Sequence, residues 1–446
     1  MNEAEQLPGV LADAENIKKF VESVIRSNQS FEQWNRDNQE KIDKAELVPR
    51  KKVPLCIWGP HGIGKTDLLK MLAAELTEKE GRSHSERWLF TSISPAQFEE
   101  MGDLLGMPTI DPGLLEGPSD DKTILVPPDW TPFKVEQTRF EEEGVHGPGI
   151  FLIDDMNRAD IRIISGIMQL LQDYQLASWS VPEGWHIVLT ANPPGGEYVV
   201  RELDDAVMTR MLHIQMRYDG KAWARWAESQ GIDPRGISFV LGYPELITGK
   251  RTTPRTLVQF FNAIESVPDL TDDESTEFVL TVGRSCLDPE TVGEFMYFMK
   301  NDWTKIIQPE EILSAKKFED IEKRVNALVR PKQKKGKPKS TTTAGKMSKS
   351  SIDRVDLANI ITQRLVNKIL LMQEPFTQAQ RDNVVRFLKL ELIPLDLRVA
   401  AGRDLYKFAI KAPVDQGRTE LQSKNLTVIT TIFEDATLAK DILRKM

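Results

Sequence analysis

The string Gly59-Pro60-His61-Gly62-Ile63-Gly64-Lys65-Thr66 has the residue types and spacing that hold a chain of phosphates. Its glycines allow the backbone to curl until several N–H groups point at one set of oxygens. An apolar run, Val53–Trp58, precedes it, and Leu68, Leu69, Leu72, Ala73 and Leu76 follow at helical spacing. A strand, a loop and a helix N-terminus in that order add the positive end of the helix dipole to the loop amides. Lys65 then reaches the β- and γ-phosphates and the Thr66 hydroxyl binds Mg2+, so ATP and Mg2+ are the expected cofactors.

The metal needs an acid, and Gly149-Ile150-Phe151-Leu152-Ile153-Asp154-Asp155 supplies two. Four apolar residues specify a buried strand whose carboxylates emerge at its C-terminal end, where open α/β sheets bind ligands. Asp154 is the expected Mg2+ partner, and Asp155 is expected to orient or deprotonate the attacking water. Other chemistries find no support. The histidines His61, His84, His146, His186 and His213 form no zinc-type spacing, and no G-x-S-x-G string is present. Trp223 and Trp226 read as packing anchors on one helix.

These side chains require a scaffold. Short apolar runs at Val53–Trp58, Trp88–Ile93, Gly149–Asp154, His186–Asn192 and His213–Met216 alternate with helical patterns. That alternation predicts an α/β fold, a five-stranded, mainly parallel sheet flanked by helices, over residues 51–218. Residues 1–50 carry a helix-spaced apolar set, Ile17, Phe20, Val21, Val24 and Ile25, and read as an N-terminal helical segment. Residues 219–329 read as a helical lid region. Residues 330–351 read as a linker rich in Lys, Ser and Thr, with seven lysines and no acid between 331 and 350. Residues 352–446 return to helical spacing, for example Leu357, Ile361, Leu365 and Ile369.

Hydrophobic residues make up 40% and charged residues 28% of the 446, the balance of a soluble globular chain of several domains. A net charge of -9 argues against a surface built to coat duplex nucleic acid. Two cysteines, Cys56 and Cys286, make no disulfide framework. The N-terminus lacks a basic segment followed by an apolar core, and a cytoplasmic location is expected.

Several segments in a fixed order resemble the MoxR-type AAA+ ATPases over roughly half the chain. Phe151-Leu152-Ile153-Asp154-Asp155-Met156-Asn157-Arg158-Ala159 is similar to that family's L-L-D-E-x-N-R-A. Ile187-Val188-Leu189-Thr190-Ala191-Asn192-Pro193 resembles its sensor-1 strand, Glu202–Met211 its arginine-finger segment, and Thr253-Pro254-Arg255-Thr256-Leu257 the start of its sensor-2 helix. The resemblance implies that Asn192 helps to place the attacking water and that Arg210 is offered to the ATP of a neighbouring subunit. Whether Arg255 acts on its own or a neighbour's nucleotide stays open, and Arg158 is a weaker candidate for a subunit interface. Gly102–Pro108 and Val126–Trp130 fall where the family carries its helix-2 insert. Leu176–Trp185, with Pro182-Glu183-Gly184 at the turn, falls where it carries a second hairpin.

One residue departs from the pattern: Asp155 stands where the family usually has Glu, one methylene longer. A carboxylate displaced by about 1 Å costs up to about 100-fold in rate, so slow turnover, a nucleotide-gated switch and a compensating backbone shift are all open, and fast unaided hydrolysis is the least expected outcome. The leading expectation is a ring, a hexamer by resemblance, that remodels or activates a protein partner. By resemblance again, the partner is a von Willebrand factor A domain protein. The rival is a nucleic-acid-directed motor or defence ATPase that grips the backbone through the lysine-rich linker. A third possibility is a nucleotide-dependent scaffold whose C-terminal helices do the work.

Overall fold

The computed structural model describes residues 7–110, 123–194, 200–248, 250–267, 272–329, 354–372 and 377–411. The chain divides into two compact units, Met1–Asp219 and Gly220–Met446. In the first unit β1 (Val10–Ala12), α1 (Ala14–Asp37) and α2 (Gln39–Asp43) precede β2 (Leu55–Trp58) and α3 (Lys65–Lys79). Next come β3 (Leu89–Ile93), α4 (Met101–Leu105), β4 (Met107–Ile110), β5 (Thr123–Val126) and α5 (Pro132–Glu143). The unit ends with β6 (Gly149–Ile153), α6 (Ile161–Asp173), β7 (Trp185–Ala191), α7 (Asp205–Met208) and β8 (Leu212–Met216).

Six strands form one sheet in the order β1-β8-β2-β7-β6-β3, and every pairing in it is parallel. The alternation of side chains along each strand divides the core in two. Leu55 and Ile57 of β2, with Ile150 and Leu152 of β6, pack under α1 and α3 against Ile17, Val21, Leu69 and Leu72. Cys56, Trp58, Phe151 and Ile153 face the opposite way, under α6 with Ile163, Ile164 and Ile167. Burial on both faces explains why the central strands β2 and β6 read as continuous apolar runs. The fold is α/β, a parallel sheet with helices on both faces.

The sheet has six strands where the sequence pattern predicts five. β1 escapes the sequence pattern because three residues, with Val10 and Leu11 largely exposed, give no run long enough to read. Its entry is fixed by Gly9 at φ +89°, where a Cβ would lie 2.3 Å from the His213 carbonyl oxygen. Only glycine permits that approach. The N-terminal segment therefore contributes an edge strand as well as a helix.

Between β3 and α5 stands a two-stranded antiparallel hairpin, β4 with β5, which register Met107 opposite Val126. The second expected hairpin is placed differently from the sequence reading. Gln175 bridges Ser180 and Leu176 N–H donates to Trp179 O, so its turn lies at 176–179. Pro182-Glu183-Gly184 instead makes a separate turn, with Gly184 at φ +76°, that feeds β7.

The described part of the second unit is helical: α8 (Gly220–Ser229), α9 (Pro234–Gly242), α10 (Pro254–Ala263), α11 (Asp273–Cys286) and α12 (Pro289–Asn301). α13 (Pro309–Leu313), α14 (Phe318–Val329), α15 (Val355–Leu371), α16 (Gln378–Leu388) and α17 (Leu395–Lys411) complete it. α15 is buried on nearly all sides, and its Arg364 donates to Glu228, Ser238 and Gln308. The region after the basic segment therefore supplies a central helix of this unit. The segment itself lies wholly outside the described residues, but the residues that flank the undescribed stretch meet. Arg354 N–H donates to Val329 O at 2.9 Å, and the Arg354 guanidinium pairs with Asp302.

Candidate functional site

β2 ends at Trp58, and Gly59 begins the loop with its N–H donating to Ala191 O at 3.1 Å. A Cβ at Gly59 would press on Met216 O at 3.1 Å, so the loop passes hard against β8. Gly62 (φ +69°) and Gly64 (φ +98°) take the left-handed conformations that turn the chain into α3, whose N-cap is Gly64. Pro60 is exposed, His61 is partly buried and Ile63 is buried against the α3 core. Thus Gly59–Thr66 forms a nest closed by a helix of 15 residues.

Lys65 is buried, and its Nζ donates to Gly59 O (2.6 Å), Pro60 O (3.1 Å) and Asn192 Oδ1 (3.0 Å). Burial pulls its pKa down to about 8, against the opposing charges of Asp155 and Asp154. Thr66 Oγ1 donates to Asp154 Oδ2 at 2.7 Å. The other Asp154 oxygen accepts from Thr190 Oγ1, and that hydroxyl accepts from the Asp155 N–H at 2.8 Å. Asp155 itself sits at φ 52°, ψ 44°. Among non-glycine residues Asp and Asn enter that region most readily, which favours Asp over Glu at this turn. Its Oδ1 accepts from Asn192 Nδ2 at 2.9 Å, and its Oδ2 lies 3.4 Å from Arg158 Nε.

Two residues of this cluster carried no role in the sequence reading. Thr190 joins both acids, as described. Asn157 clamps Asn192 reciprocally: its Nδ2 donates to Asn192 O (2.8 Å) and its Oδ1 accepts from Asn192 N (3.1 Å). Both asparagines are at most 1% exposed. The position of Asn157 two residues beyond Asp155, in the string that follows the acidic strand, was the available signal.

The structure thus brings Lys65, Thr66, Asp154, Asp155 and Asn192 together at the C-terminal edge of the sheet. Arg210 is elsewhere. It precedes β8, whose first residue, Leu212, pairs with Leu55 at the start of β2. It therefore lies at the N-terminal edge of the sheet. Its guanidinium donates to Ala206 O and to Gln172 Oε1 (3.2 Å) near the far end of α6. α6, whose 13 residues span about 20 Å, separates that point from the turn bearing the acids. Arg255 belongs to the second unit, exposed in the first turn of α10, which Thr253 caps in a reciprocal pair with Thr256.

The donor set suits Mg2+. The Thr66 hydroxyl and Asp154 carboxylate are hard oxygens already in contact, the pair that would hold such an ion. Among the described residues, no cluster of three or more His, Cys, Asp or Glu side chains is arranged to hold a metal alone.

Fold and loop together define an α/β chain whose β2 runs through a glycine-rich loop into α3. No family profile and no curated protein sequence matches it. Solved structures do. The RuvB Holliday junction branch migration motor of Thermotoga maritima is 14% identical over 64% of this chain and 76% of its own, at a TM-score of 0.28. The E. coli MS115-1 HORMA:CdnC:Trip13 complex contributes a chain 12% identical over 62% and 88%, at 0.32. The FIGL-1 AAA domain in complex with ADP is 14% identical over 59% and 82%, at 0.29. A likeness this distant assigns no activity, and the chemistry is read from the site's own geometry.

Proposed function

We propose that this chain is an ATP-hydrolysing AAA+ protein of the MoxR type, which works as a closed ring and remodels or activates a protein partner. One observation carries the reading. Lys65, Thr66, Asp154, Asp155 and Asn192 form one hydrogen-bonded cluster at one edge of the sheet, while Arg210 stands at the opposite edge. An arginine that cannot reach its own phosphates is suited to reach those of a neighbour. Head-to-tail packing into a ring gives every subunit such a neighbour.

In this reading Lys65 bonds the β- and γ-phosphate oxygens in place of its present carbonyl partners. Thr66 and Asp154 would hold Mg2+, which would supply positive charge to the phosphates. Asp155, oriented by Asn192, positions the attacking water and takes its proton. Arg210 from the adjacent subunit lies against the charge that develops on the γ-oxygens, a contribution worth orders of magnitude in rate. Asp155 has a shorter reach than Glu, and turnover is correspondingly slow. The MoxR assignment is supported by the ordered motifs, by the β4–β5 hairpin between β3 and α5, and by the small turn bridged at Gln175 and Ser180. A von Willebrand factor A domain partner follows from that resemblance.

The test is mass photometry with ATP, with ADP and without nucleotide, beside steady-state hydrolysis, for wild type and Arg210→Ala. A ring near six subunits, with binding kept and turnover lost in Arg210→Ala, supports the proposal. A monomer whose hydrolysis ignores Arg210 overturns the ring mechanism.

A further inference from the structure

We infer that His213 is a positioning residue for Arg210, tying the turn that presents the arginine to the strand that carries the subunit's own phosphate loop. The inference rests on the proposed action of Arg210 on a neighbour's nucleotide. Trp58 Nε1 donates to His213 Nδ1 at 3.0 Å, and His213 Nε2 lies 2.8 Å from Met208 O. An indole N–H can only donate, so Nδ1 must accept and the ring proton sits on Nε2, which donates to the Met208 carbonyl. Trp58 therefore sets the tautomer, and the imidazole bridges two fixed points.

Those points matter because of what adjoins each. Trp58 is bonded directly to Gly59, the first residue of the phosphate loop. Met208 is the last residue of α7, and Arg210 follows two residues later. α7 is a single turn, too short to hold itself, and its terminal carbonyl has no partner within the helix. Asp204 caps its start by accepting from Val207 N–H at 2.9 Å. His213 holds its end. Without that bond the turn keeps its N-cap but loses its C-terminal anchor, and the Arg210 backbone, bonded to Val207 O at 3.2 Å, drifts with it.

The role predicts a defect in giving the arginine, with none in receiving it. His213→Ala is expected to lower turnover about tenfold or more, the cost of about an ångström of misplacement, with ATP affinity within about threefold of wild type. Mixed assemblies locate the fault. Asp155→Asn subunits hydrolyse nothing themselves yet carry an intact Arg210, so mixing them with His213→Ala is expected to restore hydrolysis at the His213→Ala sites. Mixing with Arg210→Ala is expected to restore nothing. Trp58→Phe keeps a packed ring and loses only the donor, so it serves if His213→Ala does not assemble, with the same pattern in weaker form. Arg210→Ala alone separates the two possible failures. If it hydrolyses ATP like wild type, the trans-arginine reading has failed. If it loses turnover while both His213→Ala and Trp58→Phe keep it, or if Asp155→Asn subunits rescue neither, the positioning role is overturned.

Discussion

Asn157→Ala should uncouple nucleotide binding from hydrolysis. The substitution removes both hydrogen bonds that Asn157 makes to the Asn192 backbone, and so strands one buried N–H and one buried C=O. An unsatisfied buried polar group costs about 1–3 kcal/mol, so the pair costs about 2–6 kcal/mol. Water entering the space left by the side chain recovers part of this, since a bridging water is nearly as good as a direct bond. A loss of about 2–4 kcal/mol by urea denaturation is the expectation. It should be accompanied by faster amide exchange in the β7 peptide ending at Ala191. Asn192 also spans Lys65 and Asp155 through its side chain, so releasing its backbone moves the oriented water. A displacement near 1 Å costs up to about 100-fold in turnover. Nucleotide affinity, held mainly by the loop amides and Lys65, should change by less than about threefold. An Asn157→Ala protein that loses stability yet turns over like wild type refutes the link to chemistry. One that loses neither refutes the clamp itself.

Further outcomes are expected. ATP affinity should be full below pH 8 and weaken about tenfold by pH 9. The Lys65 pKa of about 8 in the free site leaves its charge to be restored by proton uptake on binding, and titration calorimetry at the two pH values checks this. His186 is buried and its pKa falls to about 3, chiefly by burial and then by the charge of Lys52. Unfolded, it takes a proton near 6.5, so between pH 6.5 and 3 the unfolded chain holds more protons and acid removes stability. His186→Phe should recover about 2 kcal/mol of that loss at pH 5, read from urea unfolding at pH 5 against pH 7.5. Gly64→Ala places a Cβ at φ +98° and should abolish ATP binding while costing about 1–2 kcal/mol of stability. Arg364→Ala leaves Glu228 without its charge partner inside the second unit and should cost about 3–5 kcal/mol, again by urea denaturation.

The centre of the sheet was legible because its strands are buried on both faces and therefore read as unbroken apolar runs. Leu55–Trp58 and Gly149–Ile153 are examples, each running into the residues of the site. β1 was not legible, since its pairing with β8 is set by the backbone approach at Gly9 rather than by side chains. The phosphate loop was legible because its conformation demands glycine at fixed spacing. Thr190 and Asn157 were harder, because each acts through bonds to residues 35 positions distant in sequence, which no local pattern encodes. The hairpin turn was misplaced because Pro182-Glu183-Gly184 has turn chemistry and does form a turn. The neighbouring turn at 176–179 is instead stitched by backbone bonds and by the Trp179 indole donating to Leu104 O. The centrality of α15 was hidden by the basic segment before it, whose composition marks a boundary although the helices on its two sides belong to one unit.

The bond from Arg354 N–H to Val329 O has a polymer-physics consequence. A tether between separate bodies sets their reach, so its length is under constraint. A loop pinned at its base sets no reach, and its only thermodynamic cost is closure entropy, which changes by about 0.6 kcal/mol for each doubling. Because Val329 and Arg354 are joined directly, α14 and α15 stay paired whatever the number of residues between them, at a closure cost that grows only logarithmically with that number.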